Sequence, residues 1–441
     1  MSESNAPASP DDAADSTVTG PDGTAPQPER RIHWRSGLGL FLAGAVIQTI
    51  AWFTAPDRTY QIFFVYYISG TVAFLLLLWW LFFSGLRWGT RLKSFGWLVT
   101  AVAVFIACFR FEGYWGDFIP RFAPRWQPTT EDLAEQFWTQ SSGAETSAAE
   151  LAAARAEKLD NSDAVAAAAD SSGTSSPAGD TAPAAEAEVS IRLPVSDSDW
   201  PNFRGPNWNS ITPEPALRTN WDTRPPKELW RHPMGPAWSS FAVVGRLAFT
   251  QEQRREQEAV VCYDLETGDQ LWEHGDEARF ESAMGGDGPR ATPTVYDSRL
   301  YTLGATGILN CLDPLTGEQI WQRNILKDAS ASNIEWGMSG SPLVYDNLVV
   351  VNAGGKKKHG VLAYDRLTGE IVWSAGSKQA SYTTPSLEQI DGERQLLIFD
   401  AAGLAGHDPE SGRELWRHPW ENPPKVNVAI PIQLADGSVL I

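Results

Sequence analysis

Three cysteines, Cys108, Cys262 and Cys311, and six histidines are the residues of this 441-residue chain that could attack a carbonyl, carry a proton or hold a metal. Their spacing argues against those uses. No CxxC pair occurs, so neither a zinc site nor a disulfide scaffold is encoded. Cys262 and Cys311 occupy one position of a repeat at which the other copies have Ala363 and Gly406, the mark of a small strand residue. His232, His274 and His418 each follow a tryptophan by two residues, and His407 sits beside a turn aspartate. His359 lies in GGKKKHG with Lys356, Lys357 and Lys358, a hairpin tip that is either a solvated loop or a contact for an anion or acidic partner. Asp264, Asp313, Asp365 and Asp408 could be mistaken for general acids and bases, but their identical contexts argue for turn capping. Arg290, Glu335 and Trp336 precede strands at one rim and are candidates for a central channel. The nearby SAMGGDGPRATP opens no helix and lacks Gly-Lys-Ser/Thr, so it is no phosphate loop. No residue is assigned as catalytic or metal-binding.

The elements that position these residues repeat. CYDLETGDQLW (262–272), CLDPLTGEQIW (311–321), AYDRLTGEIVW (363–373) and GHDPESGRELW (406–416) share one pattern. In it, Asp264, Asp313, Asp365 and Asp408 begin the turn and Gly268, Gly317, Gly369 and Gly412 stand where a hairpin wants a positive φ. Trp272, Trp321, Trp373 and Trp416 follow on the outgoing strand, large enough to fill a gap between neighbouring sheets. A second hairpin precedes each copy, as in ATPTVYDSRLYTLGA (291–305) and GSPLVYDNLVVVNAG (340–354). Two hairpins per period of 43–52 residues make a four-stranded antiparallel propeller blade.

The eleven-residue pattern resembles the tryptophan-docking motif of quinoprotein-type, PQQ-like β-propellers, a family that includes PQQ-dependent dehydrogenases and BamB-like assembly lipoproteins. The lead-in WPNFRGPNWNSITPE (200–214) and LWRHPMGPAWSSFAVVG resemble PQQ-like repeat proteins of planctomycete type. The expected fold is an all-β propeller over 200–441, with four complete blades and a partial fifth from VAIPIQLADGSVLI. KELWRH (227–232) is expected as a lone outer strand. In relatives such a strand completes the last blade, which leaves the ring here incomplete. Either a truncated chain or a pairing of two half-rings is expected from that count.

Three apolar runs precede the repeats: 37–55, 60–83 and 95–109, the last extended by FRFEGYW to about 111 or beyond. They read as membrane spans within a region 36–115. Arg110 could snorkel there, and Tyr114 and Trp115 suit an interface. Arg30, Arg31 and Arg35 before the first run, and Arg87, Arg91 and Lys93 after the second, outweigh Arg58 between them. The expectation is a multi-pass inner-membrane protein with its N-terminus cytoplasmic and its propeller periplasmic. Most of the formal charge of −19 resides in residues 1–29 (−6) and 127–199 (−11), within an acidic tail, 1–35, and an Ala/Ser/Pro-rich linker, 116–199, in which 147–159 could be helical and 171–188 disordered. No basic and aromatic stretch suggests nucleic acid.

These readings point to a membrane-anchored, non-catalytic scaffold that binds protein or a small molecule at the propeller rim, with no cofactor. The alternative that the resemblance implies is a membrane-bound dehydrogenase using PQQ and Ca²⁺ to oxidise an alcohol or sugar. No residue matches the base or metal ligands of such enzymes by motif.

Overall fold

The structure, a computed structural model, describes residues 33–441 apart from 57, 116–117, 141–146, 156–192, 213–217, 219 and 435. Residues 1–32 of the expected acidic tail (1–35), and the stretch expected as disordered (171–188), lie outside the described residues. The chain divides into two compact units, 1–125 and 126–441.

The first unit holds α1 (Trp34–Thr54), α2 (Arg58–Leu78) and α3 (Trp88–Cys108), and α2 runs on through a π-helical turn, Trp79–Phe83. All three are long and apolar enough to cross a membrane. One cation turns inward. Arg91 is buried and donates to the carbonyls of Leu81 (2.6 Å) and Phe82 (3.2 Å), so a cation closes the C-terminal end of the preceding helix. FRFEGYW does not extend the third helix. It forms β1 (Phe109–Trp115), which pairs antiparallel with β2 (Ile119–Pro124). Phe109, Phe111 and Tyr114 suit a strand, and α3 gains its length instead from residues 88–94.

The second unit is built from sheets of consecutive antiparallel strands. The first contains β3 (Ala242–Val244), β4 (Leu247–Arg254), β5 (Gln257–Asp264) and β6 (Gln270–Glu277). The second contains β7 (Thr294–Tyr296), β8 (Arg299–Leu303), β9 (Ile308–Leu312) and β10 (Gln319–Asn324). The third contains β11 (Leu343–Tyr345), β12 (Leu348–Asn352), β13 (Val361–Asp365) and β14 (Ile371–Ala375). The fourth contains β15 (Ser386–Ile390), β16 (Glu393–Asp400), β17 (Gly403–His407) and β18 (Glu414–Pro419). A two-stranded piece, β19 (Ile432–Gln433) with β20 (Val439–Leu440), follows. The first strands neighbour one another: β3 lies beside β7, β7 beside β11, and β15 beside β19. The sheets are therefore blades set on their first strands, with the tryptophan strands outermost, in an array that does not close.

Sheet-to-sheet packing supplies the core. Tyr301, Leu309, Trp321, Val349, Leu362 and Tyr364 fill the gap between blades two and three, and Tyr345, Val350, Trp373, Leu396 and Ile398 fill the next. In every blade the docking tryptophan pairs directly with the small residue of the motif: Cys262 with Trp272, Cys311 with Trp321, Ala363 with Trp373 and Gly406 with Trp416. The register slips by one residue just before each tryptophan, a bulge that re-aims the indole across the blade. The small partner leaves room for it.

Within 116–199, the region read as linker, the described residues include α4 (Thr130–Gln140) and α5 (148–155). Both pack on blade one. Ala148 and Ala152 join its core, while Phe137 covers the side of Ala248, Val261 and Tyr263 that faces away from blade two. Trp138 stacks on Arg254 at 4.1 Å. KELWRH makes no strand; it is extended chain without a ladder partner.

Candidate functional site

In each blade the turns joining strands one to two and three to four lie at one end. The hairpin joining strands two to three, and the connection to the next blade, lie at the other. The two ends are termed the turn face and the loop face.

On the turn face the motif residues serve the backbone. Asp264 Oδ1 accepts the Glu266 N–H at 2.8 Å, and Asp313 Oδ1 accepts from Leu315 and Thr316 at 2.7 and 3.1 Å. Asp365 Oδ1 accepts from Leu367 and Thr368, both at 2.9 Å, and Asp408 Oδ1 from the Ser411 N–H at 2.8 Å. Burial works to raise the Asp365 carboxyl, but the Thr368 and Leu367 donors outweigh it and hold the group below its ordinary value. The Ser411 hydroxyl and N–H lower Asp408 in the same way. The turn glycines have φ of 79°, 75°, 72° and 71°, and each forms the floor of a notch for the preceding blade's indole. A Cβ at Gly317 would stand 2.5 Å from Trp272 Cε3, and one at Gly369 2.8 Å from Trp321 Cδ2. The indole N–H completes the dock, Trp272 donating to Pro314 O and Trp321 to Arg366 O, both at 3.0 Å. Between blades three and four the Tyr345 hydroxyl takes the equivalent carbonyl, Pro409 O, at 2.7 Å. Trp230, in KELWRH, docks on blade one by the same rule. It packs over Gly268 and donates to Leu265 O at 2.9 Å.

A second inter-blade device was not legible as a motif. Two residues before each first strand stands Ser240, Thr292, Ser341 or Thr384. The Ser240 N–H donates to Thr292 Oγ1 (3.3 Å), the Thr292 N–H to Ser341 Oγ (2.9 Å), and the Ser341 N–H to Thr384 Oγ1 (2.9 Å). A hydroxyl ladder thus ties the inner edges of the blades. Its signal was the recurring Ser/Thr-Pro at 292–293, 341–342 and 384–385.

The loop face gathers the channel candidates. Arg290 donates to the carbonyls of Gly285 (2.7 Å), Gly286 (2.6 Å) and Gly288 (2.5 Å), and lies over the Phe280 ring at 4.8 Å. Burial lowers its pKa. It staples the Gly-rich loop and is not aimed at a substrate. Two indoles then flank the Gly285–Gly286 peptide: a Cβ at Gly285 would meet Trp336 Cδ1 at 3.0 Å, and one at Gly286 would meet Trp238 Nε1 at 2.7 Å. The Trp336 N–H group of the backbone donates to the Tyr382 hydroxyl at 3.2 Å, and the two rings lie 5.2 Å apart. Glu335 is exposed beside them. Trp238 is 66% exposed and Met284 54% exposed. The sequence offered Arg290, Glu335 and Trp336 as channel candidates; Trp238, Met284 and Tyr382, which the structure places beside them, had no signal except apolar side chains in connecting loops.

The remaining candidates are structural. Cys262 and Cys311 are fully buried on different blades, and burial pushes the Cys311 thiol up to about 11 and the Cys262 thiol well above its ordinary value. Neither is poised as a thiolate. His407 is buried with Nδ1 2.8 Å from Gly412 O. Among the described residues no group of three His, Cys, Asp or Glu is placed to hold a metal, and the buried carboxylates are engaged by protein donors. Glu258 accepts from Ala305 N and Thr306 Oγ1, and Asp276 from Asn310 Nδ2 and Gln322 Nε2. An apolar concavity of about 590 Å³ lies in the first unit between Phe74, Trp80 and Leu98, and carries no group for chemistry.

Radial four-stranded blades, with Trp272, Trp321 and Trp373 each docked on the next blade's turn glycine, define a β-propeller of the tryptophan-docking class. The profile of the family described as outer membrane protein assembly factor BamB matches residues 221–333 and 256–440. By these repeats the chain belongs to the PQQ-like β-propeller family. Over 120 residues it is 32% identical to the outer membrane protein assembly factor BamB of Kangiella koreensis, an alignment covering 26% of each protein, so the chain spans about a quarter of that relative. Among solved structures, the quinohemoprotein alcohol dehydrogenase of Comamonas testosteroni aligns over 55% of this chain and 45% of its own, with 16% identity and a TM-score of 0.39. BamB from Moraxella catarrhalis aligns over 41% of this chain and 61% of its own, with 16% identity and a TM-score of 0.25.

Proposed function

We propose that this chain is a membrane-anchored, non-catalytic propeller scaffold whose loop face binds a protein partner on the periplasmic side of the inner membrane. The observation that carries this reading is the patch around Gly285–Gly286. Met284, on the loop held by Arg290, and the flanking Trp238 and Trp336 present apolar surface there, and the Trp336 Nε1–H is buried without an acceptor among the described residues. Tryptophan and arginine on a stapled loop are the usual composition of an interface hot spot. Trp238 and Met284 are each more than half exposed, which suits a contact with a macromolecule. The Arg and Lys flanks of the helices support the orientation, and the assembly-factor name of the relative agrees with a scaffold.

A photo-crosslinking residue tests the reading in membranes. Placed at Met284 it should give a discrete protein adduct, and placed at Leu367, 44% exposed on the turn face, it should give none. The reverse pattern contradicts the proposal. So does substrate-dependent reduction of an electron acceptor by the detergent-solubilised full chain supplied with PQQ, Ca²⁺ and an alcohol or sugar.

A further inference from the structure

The two ends of the blades differ in charge. The connections and turns on the turn face, 245–246, 265–269, 297–298, 313–318, 346–347, 366–370, 391–392, 408–413 and 434–438, contain eleven acidic and three basic side chains, and no lysine. Those on the loop face, 255–256, 278–293, 304–307, 325–342, 353–360, 376–385, 401–402 and 420–431, contain nine basic and six acidic ones. Six of the nine are lysines: Lys327, Lys356, Lys357, Lys358, Lys378 and Lys425, all exposed. They come from blades two to four.

None of these lysines is held in an ion pair among the described residues; Lys378 only helps to lower the Glu414 carboxyl through space, behind Arg417 and His407. On the turn face Arg246 pairs with Asp264 (2.5 Å), Arg366 with Asp297 (2.7 Å) and Arg394 with Asp346. Among the described residues every ion pair uses an arginine or a histidine, and none of the six lysines takes part in one. A lysine is a hydrated, mobile point charge that stays available to a partner.

The loop face already receives one acidic segment. Helix α4 lays Glu131, Asp132 and Glu135 against Arg255 of the blade-one hairpin, with Asp132 at 2.9 Å, and Glu131 reaches Arg279 at 3.1 Å. This covers the arginines at the blade-one end of the face and leaves the lysine arc open.

From this we propose that the lysine arc of the loop face, Lys327 through Lys425, docks an acidic polypeptide segment of the partner. The inference rests on the scaffold reading and names the partner's chemistry. Interspersed acids decide between an acidic polypeptide and an anionic bilayer. Glu335 and Glu421 stand exposed on the same face, where a uniformly anionic surface would be repelled, while a polypeptide can place its charges between them. The tip Lys356–Lys358 is the most concentrated part, with Lys357 and Lys358 held at φ of 53° and 73° so that consecutive residues project from one hairpin.

The test uses the full chain in phosphatidylcholine nanodiscs and a fluorescent deca-glutamate peptide at about 50 mM salt, where exposed charges are weakly screened. The wild type should bind the peptide, with affinity falling as salt rises. The triple change Lys356→Glu, Lys357→Glu, Lys358→Glu should weaken binding at least tenfold, and Lys327→Glu with Lys425→Glu should weaken it further. Lys227→Glu, outside the loop face, should leave it unchanged, and unfolding transitions of all variants should coincide. Absence of peptide binding by the wild type, or equal binding by the triple variant, overturns the proposal. Recruitment of phosphatidylglycerol vesicles in place of the peptide, lost in the triple variant, also overturns it and makes the arc a lipid contact. Any of these results leaves the crosslinking outcome at Met284, and with it the scaffold reading, to stand or fall separately.

Discussion

The two faces of the propeller use charge and aromatic side chains in opposite ways. On the turn face most recurring groups serve the fold: aspartates hold turn amides, Arg246, Arg366 and Arg394 pair with aspartates, and Trp272, Trp321 and Trp373 sit in the next blade's glycine notch, the Trp373 indole N–H having no acceptor among the described residues. On the loop face Trp238 and the Met284 of a stapled Gly-rich loop are exposed, and among the described residues six lysines make no ion pair. Blade docking accounts for the turn-face devices and does not account for these loop-face side chains. Repetition is the reason: a device required at every blade interface recurs in every blade, whereas a binding surface need occur once.

Mutations should break along the same line. The largest loss is expected on the turn-face side. Trp321→Ala empties a notch between two blades and should destabilise the propeller by about 3–5 kcal/mol, read as a lower denaturant midpoint of the detergent-solubilised chain. Ser341→Ala removes the acceptor of the buried Thr292 N–H; leaving that donor unmet should cost about 1–3 kcal/mol, and Ser341→Thr should restore most of it.

Smaller effects sharpen the contrast. Asp365→Ala should cost about 1 kcal/mol, the size of a lost backbone cap. The carboxyl is lower in the folded than in the unfolded chain. Its contribution is therefore present above the unfolded value of about 3.9 and is lost as pH falls through the folded value. Wild type and Asp365→Ala should converge in stability as acid is added below about pH 4. The triple lysine reversal at 356–358 should shift stability by no more than about 0.5 kcal/mol, although it removes three charges from the face assigned to binding.

Legibility followed the same division. The blades could be read because Asp, Gly and Trp recur at fixed spacing, and the small residue opposite each tryptophan was visible as Cys262, Cys311, Ala363 and Gly406. The hydroxyl ladder was harder, because serine and threonine before proline look like ordinary loop chemistry until the blades are adjacent. FRFEGYW was assigned to a helix on hydropathy, which does not distinguish a helix end from an aromatic strand. KELWRH was expected as a lone outer strand from the family resemblance, yet a ladder needs a neighbour, and the structure gives its Trp230 a dock on Gly268 instead. Trp238 and Met284 carry no repeat signal, since they belong to single loops.

Hydrogen exchange of the full chain with and without saturating acidic peptide tests the division of faces most directly. Protection confined to 325–342, 353–360, 376–385 and 420–431, with the turns at 265–269, 313–318, 366–370 and 408–413 unchanged, is the expected result. Protection at those turns, with the lysine loops unaffected, would contradict the assignment of binding to the loop face.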